Sequence, residues 1–449
     1  MPTCRIHPLP YHADPRERFA RLREAPGACL LDGGQPHSAR SRYDLFSAWP
    51  ERQLQPADDE DGRAFLARCR AALAELGRAE APADVELPFT GGLLGYIGYD
   101  FGRRLERLPA QAGADLRLPD ATFGLYAWAL VSDHRQRTSQ LVFHPALSEA
   151  RRQALIELFD SDAAPPAAGA FRLDAPFRPD IDAAQYRQAI ARVQAYIRAG
   201  DCYQVNFTQR FRTSWQGDPW RAYLALRDAC PTPFAGYLAV DGGAILSLSP
   251  ERFLRVSGGR VETRPIKGTR PRGADPAADR ALAAELLASA KDRAENLMIV
   301  DLLRNDLGRS CRTGSVRVPE LFAVESYPNV HHLVSAVSGE LAAGCDAFDL
   351  LAGGFPGGSI TGAPKIRAMQ IIDELEPSRR SIYCGSLLYL DGRGEMDSSI
   401  CIRTLLLQDG QASCWGGGGI VMDSEWQAEY EESLTKVRVL METLQAGLD

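Results

Sequence analysis

Residues 234–264 read FAGYLAVDGGAILSLSPERFLRVSGGRVETR. Two apolar runs, Phe234 to Val240 and Ala244 to Leu248, flank Asp241-Gly242-Gly243, and two shorter segments of mixed polarity, Glu251 to Val256 and Arg260 to Arg264, flank Ser257-Gly258-Gly259. Glycine pairs supply the positive φ that tight hairpin turns require, so the stretch predicts two successive hairpins in an antiparallel meander. The same pattern returns in Ser381 to Leu390, Asp391-Gly392-Arg393-Gly394 and Glu395 to Leu407. Strands come in runs with helices in blocks between them, which favours α+β over a doubly wound sheet.

Outward from this stretch, Tyr186, Ile190, Val193 and Ile197 recur at helical spacing and stop at Gly200-Asp201, a C-terminal glycine ending. Phe65, Leu66, Cys69, Leu73 and Leu76 mark an amphipathic helix over 59–76, while Gly91 to Tyr99 and Ala121 to Ser132 read as strands. Residues 161–179, rich in Ala and Pro and without periodicity, read as a linker between an N-terminal part, 1–160, and a larger part, 180–449.

Composition narrows the class. A chain of 449 residues is long enough for one large domain or two, and 45% hydrophobic with 24% charged residues is ordinary for a soluble globular protein. A net charge of -7 with no long basic run argues against nucleic acid as the main ligand. No apolar run reaches the length of a membrane span, and Met1 to Pro10 lacks a signal-peptide core, so a cytoplasmic location is expected. Ten cysteines without a C-x-x-C pair read as small buried hydrophobes. The glycine clusters match no phosphate-binding fingerprint, so no nucleotide cofactor is expected. Gly416 to Gly419, directly after the expected strand Gln411 to Trp415, are expected to expose backbone N–H groups that could hold a carboxylate.

Three groups of residues could carry chemistry. With Gly258 and Gly259 at the centre of the turn, the register sets Glu251 opposite Ile266 and Lys267 opposite Pro250, making Glu251 and Lys267 near neighbours. Helical spacing puts Asp292 and Glu295 on one face. In the last helix, Ser424 and Gln427 form an expected capping box, and Glu425, Glu429, Glu432 and Lys436 make a narrow acidic stripe ending in a lysine. Carboxylates from two helices without His or Cys suit a hard cation such as Mg2+ and not zinc.

Taken together these segments resemble the chorismate-utilising enzymes, over about residues 182–444. The resemblance rests on Ser249-Pro250-Glu251-Arg252-Phe253, Pro265-Ile266-Lys267-Gly268-Thr269, Asp292-Arg293-Ala294-Glu295-Asn296, Val330-His331-His332-Leu333-Val334-Ser335, the run Phe355 to Lys365, and Ile402-Arg403-Thr404. Anthranilate synthases of this family carry alanine where this chain has Lys267, and the branch that carries lysine, the aminodeoxychorismate synthases, is also resembled by Gly200 to Asn206 and Ser41 to Asp44.

That resemblance implies one large α+β unit of two antiparallel sheets packed together with helices outside, both halves contributing strands. It implies amination of chorismate at C4 to 4-amino-4-deoxychorismate, on the route to p-aminobenzoate and folate. Glu251 would be the acid that protonates the departing C4 oxygen, and Lys267 the nucleophile that attacks C2; together they would titrate as one unit. Glu295 and Glu432 would hold Mg2+, with Asp292 and Glu429 reaching it through water. Arg403, Tyr383, Lys436 and the amides of Gly417, Gly418 and Gly419 would bind substrate carboxylates, and Gly268, Thr269, His332 and Thr361 would line the site. No glutaminase segment with a Gly-x-Cys-x-Gly setting is present, so a separate glutamine amidotransferase subunit is implied as the ammonia source. A tryptophan pocket in the N-terminal part is a further family trait, but Asp32-Gly33 stands where Glu-Ser is usual, which argues against feedback inhibition. The alternatives are an anthranilate synthase component I and a non-catalytic paralogue.

Overall fold

The computed structural model describes residues 1–36, 41–327 and 330–446. Its frame is two large antiparallel sheets, one of thirteen strands and one of ten. Both halves of the chain build both sheets. Cys29–Asp32 pairs with Phe234–Val240 in the first, and Gly92–Ile97 pairs with Ser386–Asp391 in the second. Neither half could bury its sheet faces alone, so the α+β unit expected from the strand runs is a single one. Among the described residues no helix is long and apolar enough to cross a membrane. All ten cysteines are free, nine of them buried, in keeping with their reading as small hydrophobes.

The opening meander forms as read: Phe234–Val240 pairs with Gly243–Ser249, and Ser257 faces Arg260 across the second turn. The predicted register does not run to the hairpin's open end. A bulge between Arg252 and Arg255 sets Arg252 opposite Arg264, one residue short of the straight extrapolation. The helix ending at Gly200 spans Ala183–Ala199, and Gly200 takes φ 81°.

Four local readings are corrected. Ala121 to Ser132 is two strands, Ala121–Tyr126 in the ten-stranded sheet and Trp128–Asp133 in the thirteen-stranded one. Glu395 to Leu407 divides likewise into Met396–Ser399 and Thr404–Gln408, one in each sheet, with Arg403 at φ 51° in the crossover. Continuous burial hides such crossovers, because both pieces are covered on both faces. Within 161–179, Phe171–Leu173 and Arg178–Pro179 pair with the long strand Gln204–Gly217, so the linker is partly sheet edge. Finally, the glycine run does not follow the expected strand Gln411 to Trp415 but is part of it. Gln411–Ile420 is one strand, paired with Gln204–Gly217 through Gly416, Gly417, Gly418 and Gly419.

The glycines are there because helix Trp426–Gln445 lies directly on that strand: a Cβ on Gly416 would stand 2.1 Å from the Ser433 carbonyl oxygen. The strand Thr404–Gln408 pairs with this one only as far as Cys414. Every second amide beyond it points away from Gln204–Gly217, because ladder bonds alternate sides along a strand.

Candidate active site

Glu251 sits at the entrance to the strand Arg252–Ser257, and Lys267 lies in Ile266–Pro271, which continues the line of Arg260–Arg264 along Val330–Glu340. Pro265 marks the break between those two strands, and the hairpin's open end thus carries both residues. Glu251 is only 4% exposed, and burial pushes its carboxyl up to about 7, against hydrogen bonds from the Ser359 hydroxyl and the Ile266 amide and the pull of Lys267. Burial also lowers Lys267 from the usual lysine range, with Lys436 adding to it, although Glu295 and Glu251 pull the other way.

The two residues make no direct ion pair; Ser359 stands between them. Its hydroxyl donates to Glu251 Oε1 at 2.7 Å, and its carbonyl accepts from Lys267 Nζ at 3.2 Å. Ser359 belongs to the short turn Gly358–Ile360, inside the run Phe355 to Lys365, whose pattern is legible in sequence although the role of its serine is not.

The acids gather beside this pair. Glu295 is raised by burial, against Lys267 and Lys291 and with Glu432 adding to the rise. Glu429 is also raised by burial, and Ser424 donates its hydroxyl to Glu429 Oε1 at 2.7 Å. That corrects the capping box: the helix starts at Trp426 with no side-chain cap, and Ser424 holds a carboxylate instead. Glu432, 2.7 Å from Lys436, is held below the usual range because Lys436, Lys291 and Lys267 outweigh its burial. Asp292 faces Arg270 at 3.2 Å and packs against Gly268, where φ is 84° and a Cβ would meet the Asp292 carboxyl carbon at 2.9 Å.

Gly418 leaves a bare patch in front of the last helix: a Cβ there would lie 3.2 Å from Glu429 Oε2 and 3.3 Å from Glu432 Oε1. An all-oxygen donor set fits a hard cation. Among the described residues no three acidic, His or Cys side chains already converge as a closed cage. A hard cation such as Mg2+ takes one or two carboxylates and leaves the remaining positions to water and substrate.

The other residues expected to line the site have the following surroundings. Thr269 and His332 face each other across paired strands, Thr269 Oγ1 lying 2.9 Å from His332 Nδ1. Burial, with Arg403 nearby, pushes His332 down to about 3, so it is a neutral ring at working pH. Thr361 is fully buried and donates its hydroxyl to the Gly357 carbonyl at 3.0 Å. Tyr383 stacks on Trp415 at 5.7 Å with rings 6° from parallel, and burial raises its hydroxyl well above the ordinary range. Lys436 donates to the Gly417 carbonyl at 2.8 Å, so it touches both the glycine strand and Glu432.

Behind the Gly358–Ile360 turn lies a buried ion pair that sequence reading missed. Arg380 binds both oxygens of Glu376 and donates to the carbonyls of Ile360 and Asn206, while Glu376 accepts from the amide and hydroxyl of Thr208. It ties the turn that holds Ser359 to the strand beside the glycines. Gln204, fully buried, has neither amide atom partnered and lies against Gly419, where a Cβ would come within 2.0 Å of it.

A separate cavity of about 770 Å³ is lined by Leu31, Asp32, Tyr43, Phe234, Arg252 and Tyr389 among others, beside the Asp32-Gly33 stretch where a tryptophan pocket would be sought. Asp32 is committed within the fold: it binds Arg227 at 2.5 Å, Tyr223 at 2.7 Å and the Gly34 amide at 2.7 Å. Glu251, Lys267, Asp292, Glu295, Glu429, Glu432 and Lys436 do not line this cavity.

A family model described as chorismate binding enzyme matches residues 28–442. The chain is 46% identical over 449 residues to aminodeoxychorismate synthase component 1 of Klebsiella aerogenes, covering 98% of each chain. It is 39% identical to anthranilate synthase component 1 of Cereibacter sphaeroides, covering 92% of this chain and 84% of that one. Among solved structures it matches anthranilate synthase component I from Streptococcus pneumoniae TIGR4 with a TM-score of 0.76 at 30% identity, over 90% of this chain and 93% of that one. With an acid, a lysine and an acidic cluster assembled in one buried place, this chain belongs to the chorismate binding enzymes.

Proposed function

We propose that the chain aminates chorismate at C4, giving 4-amino-4-deoxychorismate, with ammonia delivered by a glutamine amidotransferase subunit. The observation that carries this reading is Lys267 held within one residue's reach of a buried, proton-bearing Glu251. Identity of 46% over essentially the whole length to an aminodeoxychorismate synthase component 1 supports it.

The chemistry needs two things at once. Hydroxide is a poor leaving group, so an acid must give a proton to the C4 oxygen as it departs; Glu251, pushed up to about 7, still holds that proton near neutrality. The lysine must be a free amine to attack C2, and burial favours its neutral form. The Lys267 nitrogen forms a bond to C2, the ring double bonds shift, and the C4 oxygen leaves as water with the proton of Glu251. Ammonia then bonds to C4 and gives up a proton to the Glu251 carboxylate, the double bonds shift back, and the Lys267 nitrogen is released from C2 as the free amine. Ser359 fixes the Glu251 carboxyl and the lysine amine in one frame, so both ends of the substrate meet prepositioned groups.

Glu295 and Glu432 would hold Mg2+, with Glu429 and Asp292 reaching it through water; when bound, the ion supplies positive charge for a substrate carboxylate. Arg403, Tyr383, Lys436 and the outward amides among Gly417, Gly418 and Gly419 are the groups that would bind and orient the substrate's carboxylates, while Gly268, Thr269, neutral His332 and Thr361 wall the site. The test is an assay with chorismate, Mg2+ and an ammonium salt, with and without a lyase that turns 4-amino-4-deoxychorismate into p-aminobenzoate. The proposal requires p-aminobenzoate only when the lyase is present. Anthranilate without the lyase would assign the chain to the anthranilate branch, and no turnover would make it a non-catalytic paralogue.

A further inference from the structure

Three neighbouring segments that build the active site also carry an apolar patch outside it. Tyr203 is 74% exposed, and Ile366 and Met422 are each 40% exposed. The ladder shows why they meet. Val205 pairs with Ile420 on one side and with Gly362 on the other, and Gln204 pairs with Ala363. Just beyond these pairs, Tyr203, Met422 and the first turn of helix Lys365–Leu375, with Ile366, reach the same end of the sheet. The backbone that presents them is fixed. The Tyr203 amide donates to the Ala363 carbonyl at 2.8 Å, and the Gln194 side chain donates to the carbonyls of Met422 at 3.1 Å and Ser424 at 2.8 Å. Paired charges stand alongside: Arg367, next to Ile366, binds Asp201 at 3.0 Å, and Arg192 binds Glu374 at 2.7 Å. An apolar centre beside a charged rim is the anatomy of a protein interface.

The same segments lead inward to the site. Gln204, directly after Tyr203, is buried against Gly419. Thr361 stands five positions before Ile366, and Ser424, which holds Glu429, stands two after Met422. A partner seated on this patch therefore lies against the outer wall of the chamber in which ammonia is consumed. Ammonia that escapes into neutral water is protonated to ammonium, which has no lone pair with which to attack C4. The protein that releases it must therefore hand it over at close range and under cover.

We propose that the patch of Tyr203, Ile366 and Met422 is the docking surface of the glutamine amidotransferase subunit. This rests on the reading above that such a subunit supplies the ammonia, and it adds where that subunit binds.

The full chain and the purified amidotransferase component from the same source test it, with turnover driven first by an ammonium salt and then by glutamine, and affinity read by isothermal titration. Wild type should turn over with either donor. Tyr203→Ser and Ile366→Ser should each weaken amidotransferase binding about tenfold or more, as the loss of an interface anchor does. Glutamine-driven turnover at limiting amidotransferase should fall with it, while ammonium-driven turnover stays at the wild-type level and shows that the variants are folded. Leu321→Ser, at an exposed apolar position on the outer strand Arg317–Ser326, should change neither. Equal affinity and equal glutamine-driven turnover in wild type, Tyr203→Ser and Ile366→Ser overturn the docking site and leave the partner in place. A wild type that gains nothing from glutamine and the amidotransferase overturns the partner reading and this one with it. Two further results overturn the proposal: a wild-type dimer in light scattering that Tyr203→Ser splits, which gives the face to a second copy of the chain, and a matching fall in ammonium-driven turnover, which makes Tyr203 part of the active site.

Discussion

The hydroxyl of Ser359 donates to Oε1 of Glu251 at 2.7 Å, and the same residue's carbonyl accepts from Lys267 Nζ at 3.2 Å. One residue thus spans the acid and the nucleophile, and it does so from a turn anchored on a different part of the chain. The hydrogen bond to Glu251 favours the ionised carboxylate and so restrains the rise that burial causes. Ser359→Ala should therefore move the alkaline limb of the activity profile to higher pH while lowering kcat about tenfold. A pH profile of kcat reads both; a limb that stays in place would leave Ser359 with no electrostatic part.

Glu251 carries an opposite pair of consequences for activity and stability. Its carboxyl is raised from 4.5 to about 7 on folding, so between those values the folded chain binds a proton that the unfolded chain has released. Stability from this group is full below the unfolded value and is lost as pH rises through about 7. Glu251→Gln removes that loss, and its melting temperature at pH 8 should equal or exceed the wild type's. Turnover should fall at least about a hundredfold, the usual contribution of a general acid.

The carboxylates divide by what already holds them. Glu295 is raised by burial and has no hydrogen-bonded cation, while Asp292 already pairs with Arg270 at 3.2 Å. Glu295→Gln should therefore raise the Mg2+ concentration needed for half-maximal activity by about tenfold or more, and Asp292→Asn by clearly less. A metal titration that returned the reverse order would reassign the ligands.

Lys365 is a buried cation that holds structure together. It binds Asp306 at 2.7 Å and the Gly354 carbonyl at 2.8 Å, closing the base of the loop that leads to Ser359. Lys365→Met leaves Asp306 buried without its partner, which should cost about 3–5 kcal/mol of unfolding free energy in a denaturant titration.

Much of this was legible from residues alone. The glycine turns at 241–243 and 257–259 predicted the meander, and the wide separation of Glu251 and Lys267 in sequence collapsed once that turn was placed. What sequence could not show was a consequence of burial on both faces. Where a strand leaves one sheet for the other, at Ala127 or between Ser399 and Thr404, the apolar pattern runs on without a mark. The Arg252–Arg255 bulge has no signature, so the register came out one residue off at the open end. Gly416 to Gly419 read as following the strand Gln411 to Trp415, not as part of it, because the reason for glycine there is the close approach of a distant helix. Ser359 reaches Glu251 across 108 positions, and Arg380 and Glu376, although four apart, lie beyond the end of helix Lys365–Leu375 and so outside the helical context that would make that spacing a signal.

The account stands or falls on Lys267 forming a bond to its substrate. The most direct measurement is the intact mass of the protein after incubation with chorismate and Mg2+ in the absence of ammonia. A gain equal to chorismate less one water is expected, located on Lys267 by peptide mapping, discharged on adding ammonium, and absent in Lys267→Ala. An undiminished gain in Lys267→Ala, or an adduct mapped to another residue, would contradict it.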